Sequence, residues 1–263
     1  MAENSKIEWT DHTWNPWRGC QKVSPGCENC YAETLANRFP GTLGEWGPPA
    51  HTTRVIAAEP YWRKPHQWNR KAEQAGSPLF VFCASLADVF EDAPQVADVR
   101  LRALAVMELT PWLTWQVLTK RPENVAGMVP SRWMNGGWPP NVWLGTSVED
   151  QERADERLPV LGTIPAPVNF VSAEPLLGPV EVRDHAESFE WMIVGGESGP
   201  GARPMQPDWV RVIRDQCDNA EVPFLFKQWG AFDAEGVLVG KKVAGRTIDG
   251  KTWDGRPRSH IPA

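Results

Sequence analysis

Tyrosine is nearly missing from this chain, cysteine is sparse, and long apolar runs are missing altogether. The 263 residues include two tyrosines and five cysteines. No apolar run approaches the roughly 20 residues a helix needs to cross a bilayer. The N-terminus is polar and reaches Trp9 before any apolar run, which is not the pattern of a secretory leader. A soluble, intracellular protein without a membrane partner is expected. The cysteine count is odd and three of the five crowd into eleven residues, which argues against a secreted disulfide framework. Basic charge is also short. The net charge is −6, so electrostatic binding of nucleic acid over the whole surface is not expected, although a local basic groove stays open. No internal repeat or low-complexity segment stands out, and no G-x-G-x-x-G motif occurs. Fifteen tryptophans stand against the two tyrosines. Core and loop packing is their expected role, with stacking on bases as the sharper alternative.

What is present is concentrated in Gly19-Cys20-Gln21-Lys22-Val23-Ser24-Pro25-Gly26-Cys27-Glu28-Asn29-Cys30-Tyr31-Ala32, where Cys20, Cys27 and Cys30 are spaced C-x6-C-x2-C. Three thiolates can hold three irons of a four-iron cluster and leave the fourth open to a substrate or cofactor. Zinc would need a fourth ligand, for which His12 is the nearest candidate. Unliganded structural cysteines are the third reading. The spacing favours the cluster.

Short apolar runs recur at 79–84, 114–118, 142–146, 168–171, 191–194 and 223–226, most without alternation, as strands buried on both faces require. A short first strand is expected near 13–17. Helical signals cover 27–39, 94–109, 150–161 and 207–220. Alternating strand and helix implies an α/β protein, a full or partial (β/α) TIM-type barrel with about six to seven parallel strands. The barrel with its N-terminal cysteine loop is expected over 1–230, and a C-terminal extension packed on it over 231–263.

Polar residues follow each run. They are Ser85 and Asp88; Thr119, Lys120 and Arg121; Ser147, Glu149 and Asp150; Ser172 and Glu174; Gly195, Gly196, Glu197 and Ser198; Lys227 and Gln228. In a parallel barrel these ends converge on one mouth, which the first strand shares with the cysteine loop. Simpler roles compete. Ser147 and Asp150 can cap the next helix, Lys120 and Arg121 can be solvated, and Arg203 can form a surface ion pair. Glu174 is harder to explain away, because a carboxylate beside a buried strand is costly unless paired. The glycine-rich stretch 195–201 could let backbone approach a nucleotide closely.

These residues form blocks: Trp9 to Pro16, Gly19 to Ala32, Ser85 to Phe90, Leu118 to Pro122, Leu144 to Glu149, Ser172 to Leu177, Gly195 to Gly199 and Phe226 to Gly230. Together they resemble the radical S-adenosylmethionine (SAM) superfamily, and more closely a phage- and bacterium-encoded family of uncharacterised radical-SAM-like proteins. The commonest superfamily spacing is C-x3-C-x2-C, and this chain has three more residues between the first two cysteines.

The resemblance implies a [4Fe-4S] cluster on Cys20, Cys27 and Cys30, with SAM on the open iron. Reductive cleavage of SAM would give a 5′-deoxyadenosyl radical that abstracts hydrogen from a substrate. It also implies roles for the strand ends. Ser85 and Asp88 would lie near the methionine amino group, and Lys120 near its carboxylate. Ser147 and Glu149 would face the ribose or methionine end, and Gly195, Gly196 and Glu197 the adenine side. Glu174, Lys227, Arg121, Arg203 and Gln228 are left for substrate. Cys83 is a buried core thiol by default, or a catalytic one if it faces the barrel interior. The Thr119-Lys120 pair is similar to a strand end of spore photoproduct lyase, which implies a nucleic-acid base or lesion as substrate. An external electron donor, a partner protein named for a three-cysteine motif, and the cytoplasm of a bacterial or phage-infected cell complete the expectation. The rivals are a non-catalytic nucleic-acid or protein-binding module stabilised by metal, and a zinc-dependent hydrolase using Glu174 or Glu197 as base.

Overall fold

The computed structural model describes residues 3–262. Its centre is a curled half-barrel of seven parallel strands, each paired with the next along the chain. They are β1 (His12–Trp14), β2 (Leu79–Cys83), β3 (Leu113–Thr119), β4 (Val142–Ser147), β5 (Asn169–Ala173), β6 (Trp191–Gly195) and β7 (Phe224–Gln228). Every residue of β4, β5 and β6 is buried, as the unbroken apolar runs require. The first strand is shorter than expected. Trp17 has left the sheet and pairs with Ile56 in a two-residue antiparallel ribbon.

Alternation along the strands sorts side chains into two cores. The larger lies between sheet and helices and includes Trp14, Val81, Cys83, Trp115, Leu144, Val171, Met192 and Phe226, packed with Leu104, Leu158 and Val210. Helix α1 (Tyr31–Arg38) contributes no residue to it, and the helices supplying that layer include α2 (Lys64–Ala75), α3 (Ala97–Glu108), α4 (Gln151–Leu161) and α5 (Pro207–Asn219). Asp150 caps α4, accepting the Arg153 N–H at 2.9 Å. The expected helices over 27–39 and 94–109 both open with a 3-10 turn, so α1 starts at Tyr31 and α3 at Ala97.

The smaller core fills the concave side with Trp9, Phe82, Trp143, Phe170, Trp191, Ile193 and Leu225. Trp9 is the plug. Its ring centroid lies 4.6 Å from Phe82 and 6.2 Å from both Phe170 and Trp191. Its carbonyl accepts from Gln116 Nε2 at 3.0 Å. Gly145 makes room for this cluster, since a Cβ there would sit 2.4 Å from the Phe170 ring. The plug draws mainly on the early residues of the strands, leaving the carboxyl ends as the polar mouth.

Both sheet edges are covered. Glu3 bridges His12 beside β1. On the other side Phe226 donates to the Trp253 carbonyl at 3.0 Å, and Gly255 to the Phe224 carbonyl at 2.9 Å. The segment after residue 230 therefore packs along β7 and shields its free edge. No helix among the described residues is long and apolar enough to cross a membrane.

Candidate functional site

The cysteine loop leaves β1 and lies against the mouth. Gly19 enters it with φ +105°, and a Cβ there would be 2.9 Å from the Glu45 carbonyl. Its N–H donates to the Leu86 carbonyl at 3.1 Å, and the Cys20 N–H to the Glu45 carbonyl at 3.3 Å. Cys27 closes a 3-10 turn on Ser24 (N–H to carbonyl, 2.9 Å), and its sulfur is 3.9 Å from the Ser24 hydroxyl. Cys30 is the N-cap residue of α1. All three thiols are free and partly buried. Burial pushes the Cys20 thiol up, helped by the charges of Asp88 and Glu91 and opposed by Arg121. Burial also raises Cys30, against the first-turn N–H groups of Glu33 and Ala32 and the charge of Lys120.

Three strand ends hold this loop. From β3, Arg121 donates through Nη2 to the Gln21 carbonyl at 2.7 Å and through Nη1 to Asp88 at 2.8 Å, and Nη1 is 4.0 Å from the Cys20 sulfur. Asp88 in turn accepts from the Thr119 hydroxyl at 2.7 Å and from the N–H groups of Lys120 (3.0 Å) and Phe90 (2.9 Å). From β4, Glu149 accepts the Gly26 N–H at 3.3 Å and pairs with Arg157 at 3.0 Å and Lys120 at 4.0 Å. From β6, Glu197 accepts Asn29 Nδ2 at 3.1 Å and a fork from Arg203 at 2.6 and 2.9 Å. Arg203 also reaches the Pro25 carbonyl and Glu28, each at 3.0 Å. Burial opposes ionisation of Glu149 and Glu197, yet their cationic and N–H partners outweigh it, and both carboxyls lie below the usual range.

A second charged group occupies the mouth without contacting the three cysteines. Lys227 donates to both oxygens of Glu174, at 2.6 and 2.7 Å, and Gln228 Nε2 reaches Glu174 at 3.3 Å. This pairing is what a carboxylate beside a buried strand requires. Gly195 lies below it, where a Cβ would meet the Glu174 carboxyl carbon at 3.2 Å. Tyr31 bridges to the β2 end, its hydroxyl donating to the Ser85 carbonyl at 2.6 Å. Ser147 is buried at the end of β4, and its carbonyl accepts from Arg157 at 2.8 Å.

One expected residue sits elsewhere. Cys83 belongs to the helix-side core and is fully buried, the position of a core thiol. Gly196 is glycine because a Cβ there would lie 1.9 Å from the Trp229 carbonyl oxygen, so close packing of a neighbouring strand end requires glycine at this position. The glycine-rich stretch does lie against the cysteine loop, with Asn29 donating to the Gly201 carbonyl at 2.7 Å.

Sequence reasoning gave no role to several groups that build this site. Asn15 is fully buried and accepts the Leu86 N–H at 2.7 Å while donating to the Ser85 hydroxyl at 3.0 Å. Arg54 and Glu91 form a buried pair at 2.8 Å that also ties down the carbonyls of Glu45 and Gly47 behind Cys20. The available signal was Asn15 directly after a strand within a tryptophan-rich block. Nothing local marks Arg54, Glu91 or Arg157.

Among the described residues, no group of three His, Cys, Asp or Glu side chains is arranged to hold a metal ion. The donor set itself fits a cluster in its chemistry. Three free thiols share one anchored loop, with the cations Arg121 and Lys120 beside them, and a cluster takes each thiolate on a different iron.

The fold and this site define an α/β half-barrel protein with a three-thiol loop fixed at its C-terminal mouth. The chain belongs to the family described as Protein of unknown function (DUF5131), which matches residues 4–257. No curated protein matches it. A solved structure of a cysteine-to-alanine mutant of spore photoproduct lyase is similar at 11% identity and a TM-score of 0.44, covering 76% of this chain and 59% of that one. The chain thus spans less than two thirds of that protein's length.

Proposed function

We propose that this chain is a radical SAM enzyme in which Cys20, Cys27 and Cys30 hold a [4Fe-4S] cluster and SAM binds at the mouth. The observation that carries the reading is the loop itself, with three thiols half-buried at the carboxyl ends of parallel strands and fastened there from three strand ends. When bound, cluster and SAM supply reductive cleavage of a sulfonium and with it a hydrogen-abstracting radical.

The chain's own residues divide the remaining work. Asp88, Arg121, Glu197 and Arg203 spend their charges on one another and on the loop, so they orient the ligands rather than meet substrate. Ser85, Lys120, Ser147 and Gly195 remain to receive SAM, with Lys120 as the cation for its carboxylate. Glu174, Lys227 and Gln228 face the substrate, and their bidentate pair keeps both charges oriented before it arrives. The aromatic plug around Trp9 closes the far end of the half-barrel and keeps water from the reacting centre. The resemblance of the Thr119-Lys120 strand end to that of spore photoproduct lyase is what supports a nucleic-acid base or lesion as substrate. An external donor supplies the electron, and the free thiols suit the reducing cytoplasm.

Anaerobic reconstitution followed by dithionite and SAM tests this. The reading predicts 5′-deoxyadenosine from the native chain and none from Cys27→Ala. A metal-bound protein that never cleaves SAM under reducing conditions contradicts it and supports a structural metal module.

A further inference from the structure

Glu149 does something at this mouth that a carboxylate facing a ribose would not. It is fully buried, and its charge is held by Arg157 at 3.0 Å and Lys120 at 4.0 Å. Its Oε1 accepts the N–H of Gly26 at 3.3 Å, 123 positions earlier in the chain. The Ser24 hydroxyl of the same turn lies 3.9 Å from the Cys27 sulfur. Gly26 fits against the Glu149 carboxylate because it has no side chain, since a Cβ there would lie 3.0 Å from the carboxyl carbon. The segment between Cys20 and Cys27 is the stretch longer than the common superfamily spacing. A longer loop has more conformations to lose, and an anchor beside its second cysteine offsets that cost.

We propose that Glu149 is a positioning residue for the cysteine loop, fixing the Ser24–Gly26 turn, and so Cys27, through the Gly26 N–H before any metal arrives. The inference rests on the proposed function for its purpose, which is to preset a ligand, but the contact can be tested without it. A hydrogen bond to a buried ionised group is among the stronger ones. A charged acceptor already in place spares the loop its ordering cost when metal binds.

The test is hydrogen exchange on the metal-free full chain, followed by anaerobic reconstitution with iron and sulfide. Glu149→Gln removes the charge. Gly26→Ala attacks the contact from the partly exposed loop, so the proposal stays testable if the buried substitution fails to fold. Both variants are expected to speed exchange of the amides at 24–27 by about 10-fold or more, with exchange in β3 to β6 unchanged. Both should retain less iron per chain than the native protein. Because one contact is lost in each, the double variant should be little worse than either single one. Unchanged exchange at 24–27 in Gly26→Ala and Glu149→Gln would overturn the proposal. If the native chain binds no iron but the variants still loosen the loop, the positioning role stands and the cluster reading fails.

Discussion

Arg121 reaches back 100 positions to the Gln21 carbonyl at 2.7 Å while its other terminal nitrogen is held by Asp88 at 2.8 Å. One guanidinium thus ties a strand end to the cysteine loop beside Cys20. Lysine cannot reproduce the fork. Arg121→Lys is therefore expected to lower the iron retained after reconstitution. Arg121→Met leaves the buried Asp88 charge without its ion-pair partner and should destabilise the fold by about 3 kcal/mol. Urea unfolding measures the second effect and iron analysis the first.

The Glu174–Lys227 pair stands apart from the loop, and its substitutions should separate substrate chemistry from cluster binding. Lys227→Met and Glu174→Gln are expected to keep native iron content. A double-mutant cycle in urea should give a coupling of about 1–2 kcal/mol between the two. Iron loss in either single variant, with the fold intact, would place this pair in the loop-holding network instead.

Close packing makes sharp distinctions between glycines. Gly196→Ala drives a Cβ to 1.9 Å from the Trp229 carbonyl oxygen, whereas Gly178 has nothing within 4 Å. The first substitution should cost about 3 kcal/mol or more or abolish soluble expression. The second should stay within about 0.5 kcal/mol of the native chain. Thermal melts of the two variants decide it.

Acid should loosen the site through Glu197. Burial opposes its charge, but Arg203 and Asn29 outweigh that and hold its carboxyl below the ordinary 4.5. A depressed folded value means the contribution is complete above the unfolded value and disappears as pH falls through the folded one. Between pH 7 and 3 the urea midpoint of the native chain should therefore fall more than that of Glu197→Gln. Parallel pH profiles would contradict the assignment.

Much of the architecture is legible in the residues. The unbroken apolar runs are the strands, because a parallel sheet covered on both faces leaves no polar alternation. Asp150 at the head of α4 caps it as a local rule foresees. The tryptophans mostly fill the interior, with Trp9, Trp14, Trp17, Trp115, Trp133, Trp143 and Trp191 among the largest fully buried side chains. The site is legible in which residues reach the mouth, and less so in what each one touches. Asp88 and Arg121 read as two separate polar residues until the fold places them 2.8 Å apart. Gly196 reads as room for a ligand, and the fold adds a packing reason for glycine there in the Trp229 backbone. Glu149 and Gly26 could not be paired, because nothing local in either stretch records a contact across half the chain. Periodicity reports burial and capping, which are local. Partner choice at the mouth is set by the curl of the sheet.

The central claim is that three sulfurs hold a cluster with one iron open to SAM. Electron paramagnetic resonance of the anaerobically reconstituted, dithionite-reduced chain, recorded before and after SAM is added, tests it most directly. The account predicts a reduced four-iron signal whose g-values shift on addition of SAM and which is lost in Cys20→Ala, Cys27→Ala and Cys30→Ala. A signal indifferent to SAM, or a cluster that survives Cys27→Ala, would contradict it.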